Sequence, residues 1–285
     1  MTQIANTEQA EYWSGPSGET WVTKQTFFDA LLAPVLELLL EHTKPKTGQH
    51  ILDLGCGTGT SLLALAGRVG VNGQVTGVDV STPMLRMAKS RVDAAGVTHV
   101  NCIEADAQIF DFDTMNVDQV VSRFGVMFFE NPFVAFRNIA KALKPGGKIS
   151  FVTWAGMQDN PWFRMPIEQA KARVGAPPPP DPRAPGPMAF SEQGYVTDVL
   201  AQAGLIDIAA YTSDLLLTPK GSRADVAEFA GREGPASRIL REMGGTDEDA
   251  KAVMAGLYDA FSGFETPDGI RVPAKLNMFT ACATD

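Results

Sequence analysis

The stretch HILDLGCGTGTSLLALAGRV (50–69) decides the fold. HILDL (50–54) is a short, dense apolar run of the kind that forms a strand covered on both faces. Thr58 to Arg68 has the spacing of a helix. Between them stand Gly55, Gly57 and Gly59. Glycine there lets the backbone take positive φ and lets a ligand approach the main chain. The start of the helix adds N–H groups that have no partner inside the helix.

Outward from this unit the same alternation repeats. QVTGVDV (74–80) reads as a second strand, and Ser81 caps a helix with Pro83 in its first turn and Leu85, Ala88 and Val92 on one face. HVNCIEA (99–105) and VDQVVS (117–122) are the third and fourth strands. Asn131 and Pro132 open a helix with Phe133, Phe136, Ile139, Ala140 and Leu143 on its apolar side, KPGG (144–147) stops it, and KISFVTW (148–154) is the fifth strand. Such alternation is the signature of a parallel sheet with helices on both faces, an α/β fold of Rossmann-like type. In front of it, a long helix is expected from about Thr20 to Glu41. Beyond it come a helix over 160–174, a proline-rich stretch without regular structure over 175–187, and a helix from a Ser191 cap to Ala203. A sixth strand over 205–218, helices over 221–263 broken at GREGP and MGG, and a closing strand over 274–284 complete the chain.

Three acids stand at the carboxyl ends of strands, where open α/β sheets bind ligands. Asp53 precedes the glycines, Asp79 ends the second strand, and Asp106 follows the third. Position 60 is Thr, not the third Gly or Ala of the dinucleotide pattern GxGxxG. A carboxylate at Asp53 repels a pyrophosphate and suits a phosphate-free ligand that carries positive charge. S-Adenosylmethionine, with an ammonium and a sulfonium, is such a ligand. Asp79 can accept from ribose hydroxyls. Asp106 can accept from an adenine amino group, with the Ala107 N–H pairing to a ring nitrogen.

Composition sets the outer limits. The chain has 285 residues, 45% hydrophobic and 20% charged, so it can bury a large core. A net charge of −9 disfavours nucleic acid and anionic lipid as partners. Cys56, Cys102 and Cys282 have neither the number nor the spacing of a disulfide framework or a zinc site, and no metal is expected. The apolar run Leu31 to Leu40 contains Pro34 and Glu37 and is too short to span a membrane. MTQIANTEQAEYW (1–13) lacks the basic start and apolar run of a signal peptide, so the expectation is a cytoplasmic protein.

ILDLGCGTGTSLLALA, VTGVDVSTPML, IEADAQ, VSRFGVMFFENP and ALKPGGKISFVTW together resemble the class I S-adenosylmethionine-dependent methyltransferases, and are similar to the branch that methylates ubiquinone and menaquinone precursors. The resemblance covers about residues 48–155, and EQAEYWSGPSGETWV looks like the start of that branch. It implies a seven-stranded sheet whose last strand is antiparallel. It also implies that Asp53, Gly55, Gly57, Asp79, Met84, Asp106, Ala107 and Ser122 lie around the cofactor, with Cys56 and Val80 beside them. Residues 221–263 depart from the simplest pattern, in which strands six and seven are joined directly.

Methyl transfer from a sulfonium is an in-line displacement, so positioning and exclusion of water can supply most of the acceleration. His42, His50 and His99 lie away from the strand ends concerned and are read as structural. Arg123 is the candidate for orienting an anionic acceptor, the alternative being a surface ion pair. Phe124, Phe128, Trp154 and Trp162 are candidate acceptor walls. Tyr12, Trp13 and Trp21 mark the N-terminal segment as a candidate lid. The expected division is a lid over 1–46, a cofactor core over 47–156, a substrate-side insertion over 157–190, and the rest of the sheet with its helical insertion over 191–285. The competing functions are a protein of this fold that binds the cofactor for other chemistry, and a nicotinamide-dependent oxidoreductase. Asp53 and Thr60 oppose the latter.

Overall fold

The structure, a computed structural model, describes residues 5–284; residues 1–4 of the expected lid and residue 285 lie outside the described residues. Its strands are β1 (His50–Leu54), β2 (Gln74–Asp79), β3 (Val100–Glu104), β4 (Val117–Arg123), β5 (Leu143–Trp154), β6 (Ile206–Leu217), a short hairpin β7 (Glu265–Thr266) and β8 (Gly269–Ile270), and β9 (Val272–Cys282). Seven of them form one sheet in the order β3-β2-β1-β4-β5-β9-β6. Strands β1 to β5 run parallel, and β9 runs antiparallel between β5 and β6. The Rossmann-like seven-stranded sheet with a reversed last strand is thus present.

Alternation along the strands sorts the core into two layers. Ile51, Val75 and Val121 face Leu62, Leu65 and Ala66 of α5 (Thr60–Val69) and Leu85 and Ala88 of α6 (Thr82–Ala94). Leu52, Leu54 and Val120 face the layer of α7 (Pro132–Ala140) and α9 (Gln193–Gln202), in which Phe136, Ile139, Val196 and Val199 are fully buried.

The N-terminal segment is not one long helix. It is four: α1 (Thr7–Ser14), α2 (Pro16–Thr23), α3 (Gln25–Leu31) and α4 (Ala33–Thr43). The break before α4 has a clear cause. Pro34 has no N–H for the Ala30 carbonyl. That carbonyl instead accepts the Thr218 hydroxyl at 2.6 Å, and the Leu31 carbonyl accepts the Thr218 N–H at 3.3 Å. Helix α4 itself packs on the sheet, with Val35 and Leu39 wholly buried.

Two further expectations are corrected. Leu143 does not belong to α7, which ends at Ala140; it pairs with Val117 in the β4–β5 ladder, where the Val117 N–H donates to Ala142 at 2.8 Å. KPGG therefore lies inside the span of β5, with Gly146 at φ +68°. Ser191 does not cap α9, whose N-cap is Glu192; the Ser191 carbonyl accepts Asn277 Nδ2 from β9 at 2.9 Å instead. The expected caps at Ser81 and Asn131 are present, each accepting from the backbone three residues on. The helical insertion consists of α10 (Arg223–Arg232), α11 (Pro235–Glu242) and α12 (Asp247–Phe261), broken at Gly234 and Gly244–Gly245, and packs with α8 (Pro161–Val174). Among the described residues no helix is long and apolar enough to cross a membrane.

Candidate active site at the carboxyl ends of the strands

The turn after β1 is held by its own backbone. The Gly55 and Cys56 N–H groups donate to Val78 at 2.8 and 3.3 Å, and Gly59 donates to Cys56 at 3.0 Å. Gly55 (φ +66°) meets Gly125, just past β4, so closely that a Cβ on Gly55 would lie 2.6 Å from the Gly125 Cα. Neither position admits a side chain, and the turn sits directly against the loop after β4. The Cys56 side chain belongs to the core, packed near Gly77 and Leu62, and burial pushes its thiol up. Only its backbone takes part in the turn.

Around this turn stand the three acids. Asp53 is fully buried; its Oδ2 accepts the Ser61 hydroxyl from α5, and its Oδ1 has no partner among the described residues. Burial pushes its carboxyl up to about 7, against the opposing pull of the Ser61 bond and the Arg123 charge. Asp79 accepts from Gly57 N–H at 2.8 Å and Ser81 N–H at 2.9 Å, one on each oxygen, which leaves lone pairs for further donors. Burial shifts it upward as well. Asp106 accepts from Gln108 N–H at 2.9 Å and from the Ala5 and Asn6 N–H groups at 2.9 and 2.8 Å. Met84 is buried beside Gly57. Ser122 binds β4 to β1 through its hydroxyl on Leu54 O at 2.7 Å. The Ala107 carbonyl accepts Asn138 Nδ2 at 3.2 Å.

The N-terminal helices lie across these strand ends. The Ser14 hydroxyl meets Val80 O at 3.3 Å, and the Ser81 hydroxyl donates to Trp13 O at 2.6 Å. Asn6, 5% exposed, donates to Phe128 O at 2.9 Å and accepts from Glu130 N–H at 3.1 Å. Trp13 sets its ring edge-on to Phe128, and Trp21 stacks flat on Phe28. Tyr12 is 54% exposed and touches Trp13 only by its edge, so it stands on the outer side of the segment.

An aromatic cluster occupies the space beyond β4 and β5. Phe124 stacks on Trp154 at 4.5 Å, and Phe163 meets Trp154 edge-on. Phe27 of α3 stacks on Phe229 of α10 at 3.8 Å, and Trp162 packs beside both. Phe124 holds φ +71°, which swings the chain out of the sheet. Phe229, from the insertion over 221–263, thus joins this aromatic cluster.

Arg123 is not a surface ion pair. Its Nη1 is buried without a partner among the described residues, and burial lowers its pKa. The three histidines take structural roles: His50 on Thr76, His99 on Ala66 O, and His42 on Leu38 O. Among the described residues no group of His, Cys, Asp and Glu could hold a metal ion. Sequence reasoning missed Asn6, Asp29, Arg91 and Gly125. Asp29 is a lone acid in the apolar run TFFDALL (26–32), and Gly125 lies next to the already suspect Phe124; those were the available signals.

The chain is similar to known methyltransferases. Residues 51–147 match a family model described as a methyltransferase domain. The chain is 30% identical over 203 residues, 67% of its length and 71% of the relative's, to nocamycin O-methyltransferase of Saccharothrix syringae. It is 35% identical over 104 residues, 36% of its length and 44% of the relative's, to demethylmenaquinone methyltransferase of Bacillus cytotoxicus. A phosphoethanolamine N-methyltransferase of Haemonchus contortus, solved with S-adenosylhomocysteine, superposes with a TM-score of 0.60 at 17% identity, over 99% of this chain and 61% of that one. The chain spans about half the length of the first curated relatives it matches. It belongs to the class I S-adenosylmethionine-dependent methyltransferase family.

Proposed function

We propose that the protein binds S-adenosylmethionine over the carboxyl ends of β1 to β4 and directs its methyl group to a small-molecule acceptor held against Phe124, Trp154 and Trp162. The observation that carries this reading is the buried Asp53 Oδ1, which lacks a partner among the described residues, beside a bare glycine turn. A buried carboxylate oxygen in that state calls for a donor, and a cationic donor best. The residues present fit the cofactor. Asp53 suits its ammonium, the free lone pairs of Asp79 suit ribose hydroxyls, and Asp106 with the Ala107 N–H suits the adenine edge. An adenine amino group at Asp106 would compete with the Ala5 and Asn6 N–H groups, so the N-terminal segment moves or shares that oxygen.

When bound, the cofactor supplies a methyl group already activated on sulfur. The chain's part is to bind, to orient and to exclude water. Gly55 and Gly125 bring two backbones together at the floor. Trp13, Trp21 and the helices α1 to α3 form the lid. The aromatic cluster with the insertion makes an apolar seat for a flat acceptor. The net charge of −9 supports small molecules over nucleic acid as partners, and with the reduced cysteines it supports a cytoplasmic setting. Titration calorimetry with S-adenosylmethionine and NAD side by side tests the binding. Transfer of labelled methyl to phenolic, enolic and carboxylic aromatic acceptors tests the reaction. Uptake of NAD with no uptake of the sulfonium compound would overturn the proposal.

A further inference from the structure

Helices α1 to α4 meet the rest of the chain along two seams of different chemistry. Toward the strand ends the seam is polar. Asn6 bonds the loop after β4, the Ser81 hydroxyl donates to Trp13 O, and Asp29 pairs with Arg91 at 2.8 Å. Toward the helical insertion the seam is aromatic. Phe27 of α3 lies flat on Phe229 of α10, with ring centres 3.8 Å apart and planes 20° apart, and Phe28 meets Phe229 edge-on at 5.2 Å. Among the described residues no hydrogen bond or ion pair joins α1 to α4 to the insertion; Thr218, which bonds Ala30 and Leu31, stands before it.

The two seams can therefore open separately. Parting the aromatic one breaks no polar bond. Beyond its burial that stack is weakly held, because rings packed face to face set like quadrupoles against each other, as offset and edge-on pairs do not. Phe27 is half-buried and Phe229 buried, so the stack reaches from the surface inward. Behind it the aromatic surface is continuous. Trp162 lies 6.4 Å from Phe27 and 6.3 Å from Phe229. Its neighbour Phe163 meets Trp154 edge-on, and Trp154 stacks on Phe124 just past β4.

We infer that the seam between Phe27 and Phe229 is the acceptor's way in, and that Phe229 is a specificity-determining residue that selects for flatness. A flat ring entering there moves the two phenyl faces to about 7 Å apart, twice the contact distance of carbon atoms, and gains a face on each side. A puckered ring of the same size cannot lie against both. This inference rests on the acceptor reading above. It gives the insertion a task in choosing the acceptor that the polar seam over the cofactor strands does not share, so the acceptor enters and leaves while the nucleoside stays in place.

Calorimetry on the protein loaded with S-adenosylhomocysteine tests this without turnover. The probes are 2-naphthol and its decahydro analogue, which share a skeleton and a hydroxyl and differ in flatness. The unmodified protein is expected to bind 2-naphthol about ten-fold more tightly than the analogue, as contact with two ring faces gives. Phe229→Leu keeps an apolar side chain and removes one face. It should reduce that preference to about three-fold and leave S-adenosylhomocysteine within about two-fold of the unmodified protein. A Leu variant that keeps the whole preference, or that loses the nucleoside in step with 2-naphthol, overturns the inference, as does 2-naphthol that binds only by displacing S-adenosylhomocysteine. Should Phe229→Leu not fold, Phe27→Leu removes the other face and carries the same expectations, and equal affinity of the unmodified protein for both probes is decisive without any variant. Trp154→Leu separates this inference from the reading beneath it. Loss of 2-naphthol in that variant with none in Phe229→Leu keeps the acceptor seat and sinks the entry; 2-naphthol binding indifferent to both substitutions sinks the seat itself.

Discussion

Asp29 of α3 and Arg91 of α6 meet at 2.8 Å across the mouth of the glycine turn, 62 residues apart in sequence. The same guanidinium donates to Thr58 O at 2.8 Å and to the Thr60 hydroxyl at 3.0 Å. One arginine therefore ties together α3, the turn and the start of α5. The pair is only partly exposed, 22% and 21%, so it is screened less than a surface bridge.

Breaking this tie should loosen the lid more than it unfolds the protein. Arg91→Met leaves Asp29 with its two neutral donors and is expected to cost about 1–3 kcal/mol in stability. The larger effect falls on ligand release, which should speed up about ten-fold, an amount equivalent to one lost charge-assisted bond. Stopped-flow fluorescence of Trp13 and Trp21 on displacement of S-adenosylhomocysteine checks this. An unchanged release rate contradicts it.

Asp53 predicts a pH dependence with a definite sign. Its carboxyl, ordinarily at 3.8, is held at about 7 by burial. Between those values the folded protein keeps a proton that the unfolded chain has lost. The group's stabilising contribution is full below the unfolded value and disappears as pH rises through about 7. A cationic ligand at Oδ1 favours the ionised form, so binding should release close to one proton at about pH 6 and affinity should rise toward pH 7. Calorimetry in buffers of different ionisation enthalpy measures that proton. Asp53→Asn should abolish the release and flatten the fall of thermal stability over the same range.

Gly55 and Gly125 should tolerate no side chain. Alanine at Gly125 would place its Cβ 2.5 Å from Leu54 O, and at Gly55 it would also have to hold φ +66°. Each substitution is expected to destabilise by about 2–4 kcal/mol, since backbone cannot yield as a flexible side chain can. Denaturant titration shows it. Gly48→Ala is a control for positive φ without crowding: it meets nothing within 4 Å at φ +83° and should cost only the backbone strain.

Removing residues 1–22 should strip the lid while leaving the sheet. Asn6, Trp13 and Ser14, which touch the strand ends, go with it. The truncated protein is expected to retain a cooperative thermal transition and to lose methyl transfer by about a hundred-fold or more, because exclusion of water goes with the lid. Equal turnover before and after truncation would remove the lid from the account.

Much of the sheet was legible because its strands are short apolar runs with punctuation between them. The HILDL run, the glycines and the acids Asp53, Asp79 and Asp106 announce a ligand site through local pattern alone. The parts that escaped depend on partners far along the chain. Pro34 hinted at a break between α3 and α4, but the hydroxyl that satisfies the freed Ala30 carbonyl comes from Thr218. Leu143 has helical spacing with Ile139, yet Val117 claims it for the ladder. Asn6 looks like any polar residue of a terminal segment; its value comes from Phe128 O and the Glu130 N–H. Arg123 could be suspected, but its lack of a partner shows only once Asp29 is seen to be engaged elsewhere.

The place of β9 has a consequence for biosynthesis. Among the described residues, strand β6 pairs with β9 and with no other strand of the sheet, and β9 also covers the free edge of β5. On the ribosome, a nascent chain made as far as Ile270 leaves β5 and β6, each twelve residues long, without the strand that pairs them. Exposed edges of that length invite pairing with other chains. Closure of the sheet thus waits for the emergence of VPAKLNMFTAC (272–282), and slow synthesis or chaperone shielding just before that point should raise the yield of soluble protein.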